Sequence, residues 1–228
     1  MSEEKSAPSL VSKLSNDFFL GILIVLLAVG TATASYLSSM SDSDQTKYNV
    51  LGMTKVTNAN ADYLTANQEI GQDYNYYDSF YLNQAKPDVA DYYKYNFSEE
   101  LDAGIKRSEA DTNQNADPFD EQYYTDKYAA PGKEFDQAEK ALSLAEEFNT
   151  RGDAFQLVVL IGSIGLAFGA FAAILPDGRK LRLAFTILST IILLYAAFNW
   201  VQIPAPPTVP ADLTAAPTST DLMPTPTP

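Results

Sequence analysis

The chain has 228 residues, with 29 Asp/Glu against 15 Lys/Arg for a formal net charge of −14, and contains neither cysteine nor histidine. Disulfides, thiol redox chemistry, ordinary zinc or haem ligation and an imidazole general base are thereby excluded. So negative a chain repels phosphate backbones, and no nucleic-acid partner is expected.

Residues 1–17 form a short polar arm carrying Lys5 and Lys13, and Ser15-Asn16-Asp17 offers cap oxygens to a following helix. Three stretches then lack any charged side chain: Phe18 to Leu37, Ala154 to Leu175 and Leu183 to Ile203. At ~1.5 Å rise per residue, each is long enough to cross the ~30 Å hydrocarbon layer of a bilayer as a helix. Leu20 to Gly30, followed by Ala32-Thr33-Ala34, also has the form of a signal peptide and its cleavage site. The apolar run continues to Leu37, which favours a retained span.

Residues 38–153 are water-exposed and hold most of the charge imbalance, with 23 acidic against 10 basic residues between Asp42 and Asp153. Ser38 to Asp44 reads as a break or as the capped start of a new helix. Gln45 to Gln84 has no proline and places Met53, Val56, Tyr63, Leu64, Ile70, Tyr74, Tyr77 and Tyr81 at roughly helical spacing. One long helix is predicted, softened at Gly52 and Gly71 and ended by Lys86-Pro87. Pro87 suits the first turn of a second helix, to about Lys106. A polar loop follows, then an Asp117-Pro118 start for a short helix through Tyr128, a turn at Ala129-Ala-Pro-Gly132, and an amphipathic helix from Lys133 to Thr150.

Thirteen of the 14 tyrosines fall between Tyr36 and Tyr128. Tyr74, Tyr76, Tyr77, Tyr92, Tyr93, Tyr95, Tyr123 and Tyr124 are read as the core of a small helical domain short of Leu and Val, or else as a patch that grips a partner or glycan. The helical spacing is not sustained as a coiled-coil heptad, and no fixed-period repeat is present. Residues 176–182 are a short turn bearing Arg179, Lys180 and Arg182. The last segment, 204–228, has 8 prolines and 6 threonines and reads as a disordered, partly polyproline tail.

Cations near the spans sit in the arm and the 176–182 turn, which places both in the cytoplasm and residues 38–153 with the C-terminus outside. The fold class is therefore an all-α membrane protein: three transmembrane helices with an extracytoplasmic α-helical stalk or bundle, multi-pass in the cell membrane.

Few constellations bear chemistry. Asp111-Thr-Asn113-Gln-Asn115-Ala-Asp117 matches the first seven positions of an EF-hand loop, but Ala116 stands where that loop needs glycine, and Gln122 replaces its bidentate Glu. It reads as a solvated, Asp-capped loop rather than a calcium site. The carboxylate pairs Glu99/Glu100, Asp120/Glu121 and Glu146/Glu147 are helix neighbours that read as exposed, and Asn96-Phe-Ser98 is a glycosylation sequon. Catalytic, cofactor and metal residues are expected to be absent. Within span two, Gly165 and Gly169 form a GxxxG that Ala173 extends, a helix-packing face for span one, span three or a partner chain. No ionisable residue lies inside a span, which speaks against a proton or ion pathway.

Ala66-Asn67 followed by Asp73-Tyr-Asn-Tyr-Tyr77 resembles a stretch in a family of small uncharacterised prokaryotic three-span membrane proteins, which have one N-terminal span, an outward helical segment and a C-terminal two-span hairpin. The resemblance implies that architecture and no activity. The expected role is a non-enzymatic scaffold or interaction component of the envelope, partnered by the lipid bilayer and by a membrane protein or a second copy. The alternatives are an accessory subunit of a larger membrane transporter or electron-transfer complex, and an extracytoplasmic sensor.

Overall fold

The computed structural model describes residues 16–110, 117–177 and 179–214. Seven helices occur among them, and no strand: α1 Asp17–Leu82, α2 Pro87–Tyr95, α3 Glu99–Ala110, α4 Glu121–Lys127, α5 Ala129–Ile174, α6 Lys180–Gln202 and the single turn α7 Ala211–Thr214. Three of them, α1, α5 and α6, are long and apolar enough to cross a membrane. Residues 1–15, the Asp111 to Ala116 part of the candidate calcium loop and the tail beyond Thr214 lie outside the described residues.

Several expected boundaries differ. No break follows Leu37, because α1 runs unbroken from Asp17 to Leu82 and passes through Gly52 and Gly71. The small polar residues there serve packing. Ser38 Oγ donates to the Gly152 carbonyl (3.2 Å), Arg151 Nη1 donates to Ser41 Oγ (3.2 Å), and Ser38 and Ser41 are both buried. The helix expected to end near Lys106 is two helices split at Asn96-Phe-Ser98, since Ser98 caps a new start by accepting from Leu101 N (3.2 Å). The short helix begins at Glu121 rather than at Pro118, because Asp120 is its cap, accepting from Tyr123 N (2.8 Å). Ala129-Ala-Pro-Gly132 is the first turn of α5 and not a separate turn. Proline is tolerated there because the first four N–H groups of a helix lack intrahelical partners anyway.

The chain divides into two compact units, 1–48 with 143–210, and 49–142 with 211–228. The first holds the three apolar segments. Its core has two clusters: Leu20, Leu23, Leu27 and Ala172, flanked by Phe185 and Leu193, and Ala34, Phe155, Val158, Ile161 and Ala196, flanked by Trp200 and Ile203. Phe155 meets Trp200 edge to face at 5.5 Å, and Tyr48 stacks on Phe148 at 5.7 Å.

The second unit is a helical assembly built from residues 49–142. Ala59, Ala66, Ala138 and Ala141 are buried, and a Cβ on Gly52 would stand 2.6 Å from the Leu142 side chain, so small residues let α1 and α5 approach closely. Ile70, Leu101, Phe119 and Tyr123 form its core, with Tyr77, Phe97, Ile105, Tyr124 and Tyr128 packed around them.

Candidate functional site

At Gly165 and Gly169 the apolar segments approach one another closely. A Cβ on Gly165 would sit 2.9 Å from both Leu27 of α1 and Ile192 of α6, and one on Gly169 would sit 3.1 Å from Ile24 and 3.3 Å from Ser189 Oγ. The glycine face is therefore turned to both neighbouring spans at once. Ser189 is fully buried and donates to the Gly165 carbonyl at 2.9 Å, a hydrogen bond that close approach makes possible. Gly162 extends the face against the Thr31 side chain. Ala173 lies on the exposed side, and Ala172 is the buried residue. At 3.6 residues per turn, a residue eight positions on has rotated about 80° from Gly165, whereas one seven on is only about 20° away.

Arg182, expected among the solvent-facing cations of the turn, is 3% exposed. It pairs with Asp17 at the start of α1 and with Asp177 in the turn, and its Nη1 donates to the Leu175 carbonyl at the end of α5 (3.0 Å). One guanidinium thus ties together the same end of all three apolar segments.

The most organised polar constellation lies in the second unit, around Asp73 of α1. Its carboxylate accepts from Ser98 N (3.2 Å), Ser98 Oγ (2.6 Å) and Tyr123 OH (2.7 Å). Lys127 Nζ stands 3.4 Å from it, and pairs with Glu100 at 2.9 Å and Glu69 at 3.1 Å. The Asp73 and Lys127 side chains are 4% and 2% exposed. Three helices, α1, α3 and α4, and the Ser98 cap between α2 and α3 converge on this one pair. Burial pushes the Tyr123 hydroxyl well above the usual phenol range, and its hydrogen bond to the Asp73 carboxylate adds to the shift. Partial burial of Glu100 acts to raise its pKa, but the Lys127 hydrogen bond and charge outweigh that and hold it below the usual range. For Lys127 burial again opposes the charged form, and Glu100, Glu69 and Asp73 together raise the ammonium pKa.

Around this pair the aromatic rings are stacked. Tyr74 lies 4.0 Å from Phe119, and Phe119 meets Tyr77 and Tyr123 edge-on at 5.5 Å and 5.1 Å. The Tyr74 and Tyr124 hydroxyls share a 2.6 Å hydrogen bond that, with some burial, pushes Tyr74 up to about 12. The tyrosines divide between the two expected roles. Tyr123 is fully buried and Tyr77 partly so, whereas Tyr92 and Tyr95 are 63% and 90% exposed.

Arg107 grips Asp120 with two hydrogen bonds, Nε to Oδ2 (2.7 Å) and Nη2 to Oδ1 (2.6 Å). That grip brings the Asp120 carboxyl down to about 2, with the Tyr123 backbone N–H also contributing. At the candidate calcium loop, Asp117 accepts from Phe119 N (2.9 Å) and Gln122 donates to Asp126 (2.8 Å), both helix-start or helix-surface bonds. Among the described residues no group of three acidic side chains is placed to hold a metal ion. In the sequon, Asn96 Nδ2 donates to the Tyr92 carbonyl (2.7 Å), and Ser98 is committed to Asp73 and its own helix.

From sequence, Lys127 is not singled out, Tyr123 reads only as a core tyrosine and Arg182 only as a turn cation, and Asp73 has no polar role. The available signal for Asp73 was its position on the same helical face as Ile70 and Tyr77, where a carboxylate needs a buried partner. Comparison with protein-family models, with curated proteins and with solved structures finds no match.

Asp73→Ala leaves Tyr123 OH and Ser98 without their acceptor and Lys127 short of a counter-charge, and should destabilise the full-length protein in detergent by about 3–5 kcal/mol, measured by denaturant unfolding of the helical signal. The Arg107–Asp120 pair should appear in the acid limb. The unfolded Asp titrates near 4 and the folded one near 2, so its contribution is complete above roughly pH 5 and is lost as pH falls toward 2. Asp120→Asn should flatten the decline in unfolding midpoint across that window and leave the slope near neutrality unchanged.

Proposed function

We propose that the chain is a non-enzymatic integral membrane protein whose three spans anchor an acidic helical domain outside the cytoplasm, where it serves as a contact surface for another component of the envelope. The arrangement of the second unit carries this reading. Its two buried charged side chains, Asp73 and Lys127, are held together with Glu69, Glu100, Ser98 and Tyr123, the sort of buried network that fixes a single conformation, while large apolar side chains remain on its surface.

Tyr81, Leu82, Tyr92 and Tyr95 are 58%, 85%, 63% and 90% exposed where α1 ends and α2 runs. Carboxylates of Asp78, Asp88 and Asp91 are exposed among them. Tyrosine supplies large contact area at low entropy cost, and rings set among carboxylates suit a partner that presents lysine or arginine. The cations Arg179 and Lys180 in the inter-span turn support the orientation, since short loops rich in Lys and Arg are retained in the cytoplasm.

Cross-linking in native membranes, followed by mass spectrometry, tests the role. The wild type should capture a recurrent partner, and Tyr92→Ser with Tyr95→Ser should lower its yield at least several-fold at unchanged protein level. Equal capture by the double variant, or no capture by the wild type, contradicts the proposal.

A further inference from the structure

Between Asn49 and Leu64, α1 carries apolar side chains on two opposite faces. On one, Gly52 and Ala59 are buried within the second unit. On the other, Val50, Met53 and Leu64 are 62%, 61% and 62% exposed, with Thr54, Thr57 and Ala61 exposed beside them. A helix that is apolar on both sides has a place for two neighbours, and this unit supplies one.

The exposed face has a regular spacing. Val50, Thr57 and Leu64 fall at intervals of seven, with Met53 at the intervening place in the first interval and Asn60 at that place in the second, beside Ala61. Threonine at the middle position hides this pattern from hydropathy, and the side-chain exposure brings it out. Asn49, Val50, Met53, Thr54 and Thr57 line a shallow open groove on the same face.

Charge selects the occupant. In a chain of net charge −14, the stretch from Tyr48 to Ala61 contains no carboxylate, and its one charged residue, Lys55, is paired with Glu134 at 3.0 Å. Two like-charged copies meeting elsewhere on this unit would bring acid against acid, whereas here they oppose methyl and hydroxyl groups.

We propose that this face is the contact between two copies of the chain, α1 against α1, parallel and in register through Val50, Met53, Thr57 and Leu64. The proposal rests on the membrane-anchored reading above, because common anchoring holds both copies in the same orientation and confines them to a layer. Confinement raises the effective concentration, so a seam of two heptads suffices although it is smaller than the ~800 Å² per partner of a typical free-standing complex.

The absence of native cysteine makes the test direct. Val50→Cys, Thr57→Cys and, as an exposed control on α5, Glu139→Cys are introduced singly into the full chain and oxidised in native membranes. Disulfide-linked dimers should form at positions 50 and 57 at least five-fold more than at 139. A Val50→Lys/Leu64→Lys variant should lose chemically cross-linked dimer while retaining wild-type helicity and the Tyr92/Tyr95-dependent partner yield. Equal dimer at 139, no dimer at 50 and 57, or adducts there of a mass other than twice the chain, overturns the proposal. Dimers that form when no Tyr92/Tyr95-dependent partner exists would instead count against the partner reading alone.

Discussion

Hydrocarbon offers no hydrogen-bond partner, and the three apolar segments of the first unit suit that constraint. Backbone groups that cross such a layer must be satisfied within their own helices, and any side-chain polar group must find its partner in the protein. Ser189 does so across helices, on the Gly165 carbonyl, and Thr186 does so on its own helix by donating to the Arg182 carbonyl at 2.9 Å. The glycines at 162, 165 and 169 matter because apolar attraction between helices is weak in lipid, so contact depends on how near the backbones come. Charge appears only where the apolar segments end, and there Arg182 is enclosed by Asp17, Asp177 and a helix-terminal carbonyl.

The second unit builds its core with few aliphatic residues. Tyrosine and phenylalanine supply the buried area, Tyr74 stacked on Phe119 and Phe119 edge-on to Tyr123. Each buried hydroxyl then needs an acceptor, which is why a carboxylate at position 73 belongs in an aromatic core, and why Lys127 must accompany it. Replacing both by well-packed apolar residues would often be neutral for stability, so the pair is better understood as fixing which helices meet than as a source of stability.

The three apolar segments were legible in composition alone, because a run of about 20 uncharged residues has few other readings. The unbroken course of α1 through Ser38 to Asp44 was not. Local propensity marks serine and aspartate as breakers, and only the facing Gly152 and Arg151 reveal that they are packing residues. The GxxxG was visible; within the single chain Ala172, seven positions from Gly165, continues its buried face, and Ala173 is exposed. Arg182 looked like its neighbours Arg179 and Lys180, and what distinguishes it is the long-range pairing with Asp17, 165 positions away. The Asp73–Lys127 pair was hidden for the same reason, since its members are brought together only by the turns that separate α1 from α4.

The claim on which the functional account stands is that the acidic helical unit and the Arg179–Lys180 turn face opposite sides of a membrane. A membrane-impermeant maleimide applied to intact cells expressing Tyr95→Cys or Lys180→Cys in the cysteine-free chain tests it most directly. The account predicts labelling at position 95 in intact cells and at position 180 only after permeabilisation. Labelling at 180 with protection at 95, or equal labelling of both in intact cells, would contradict it.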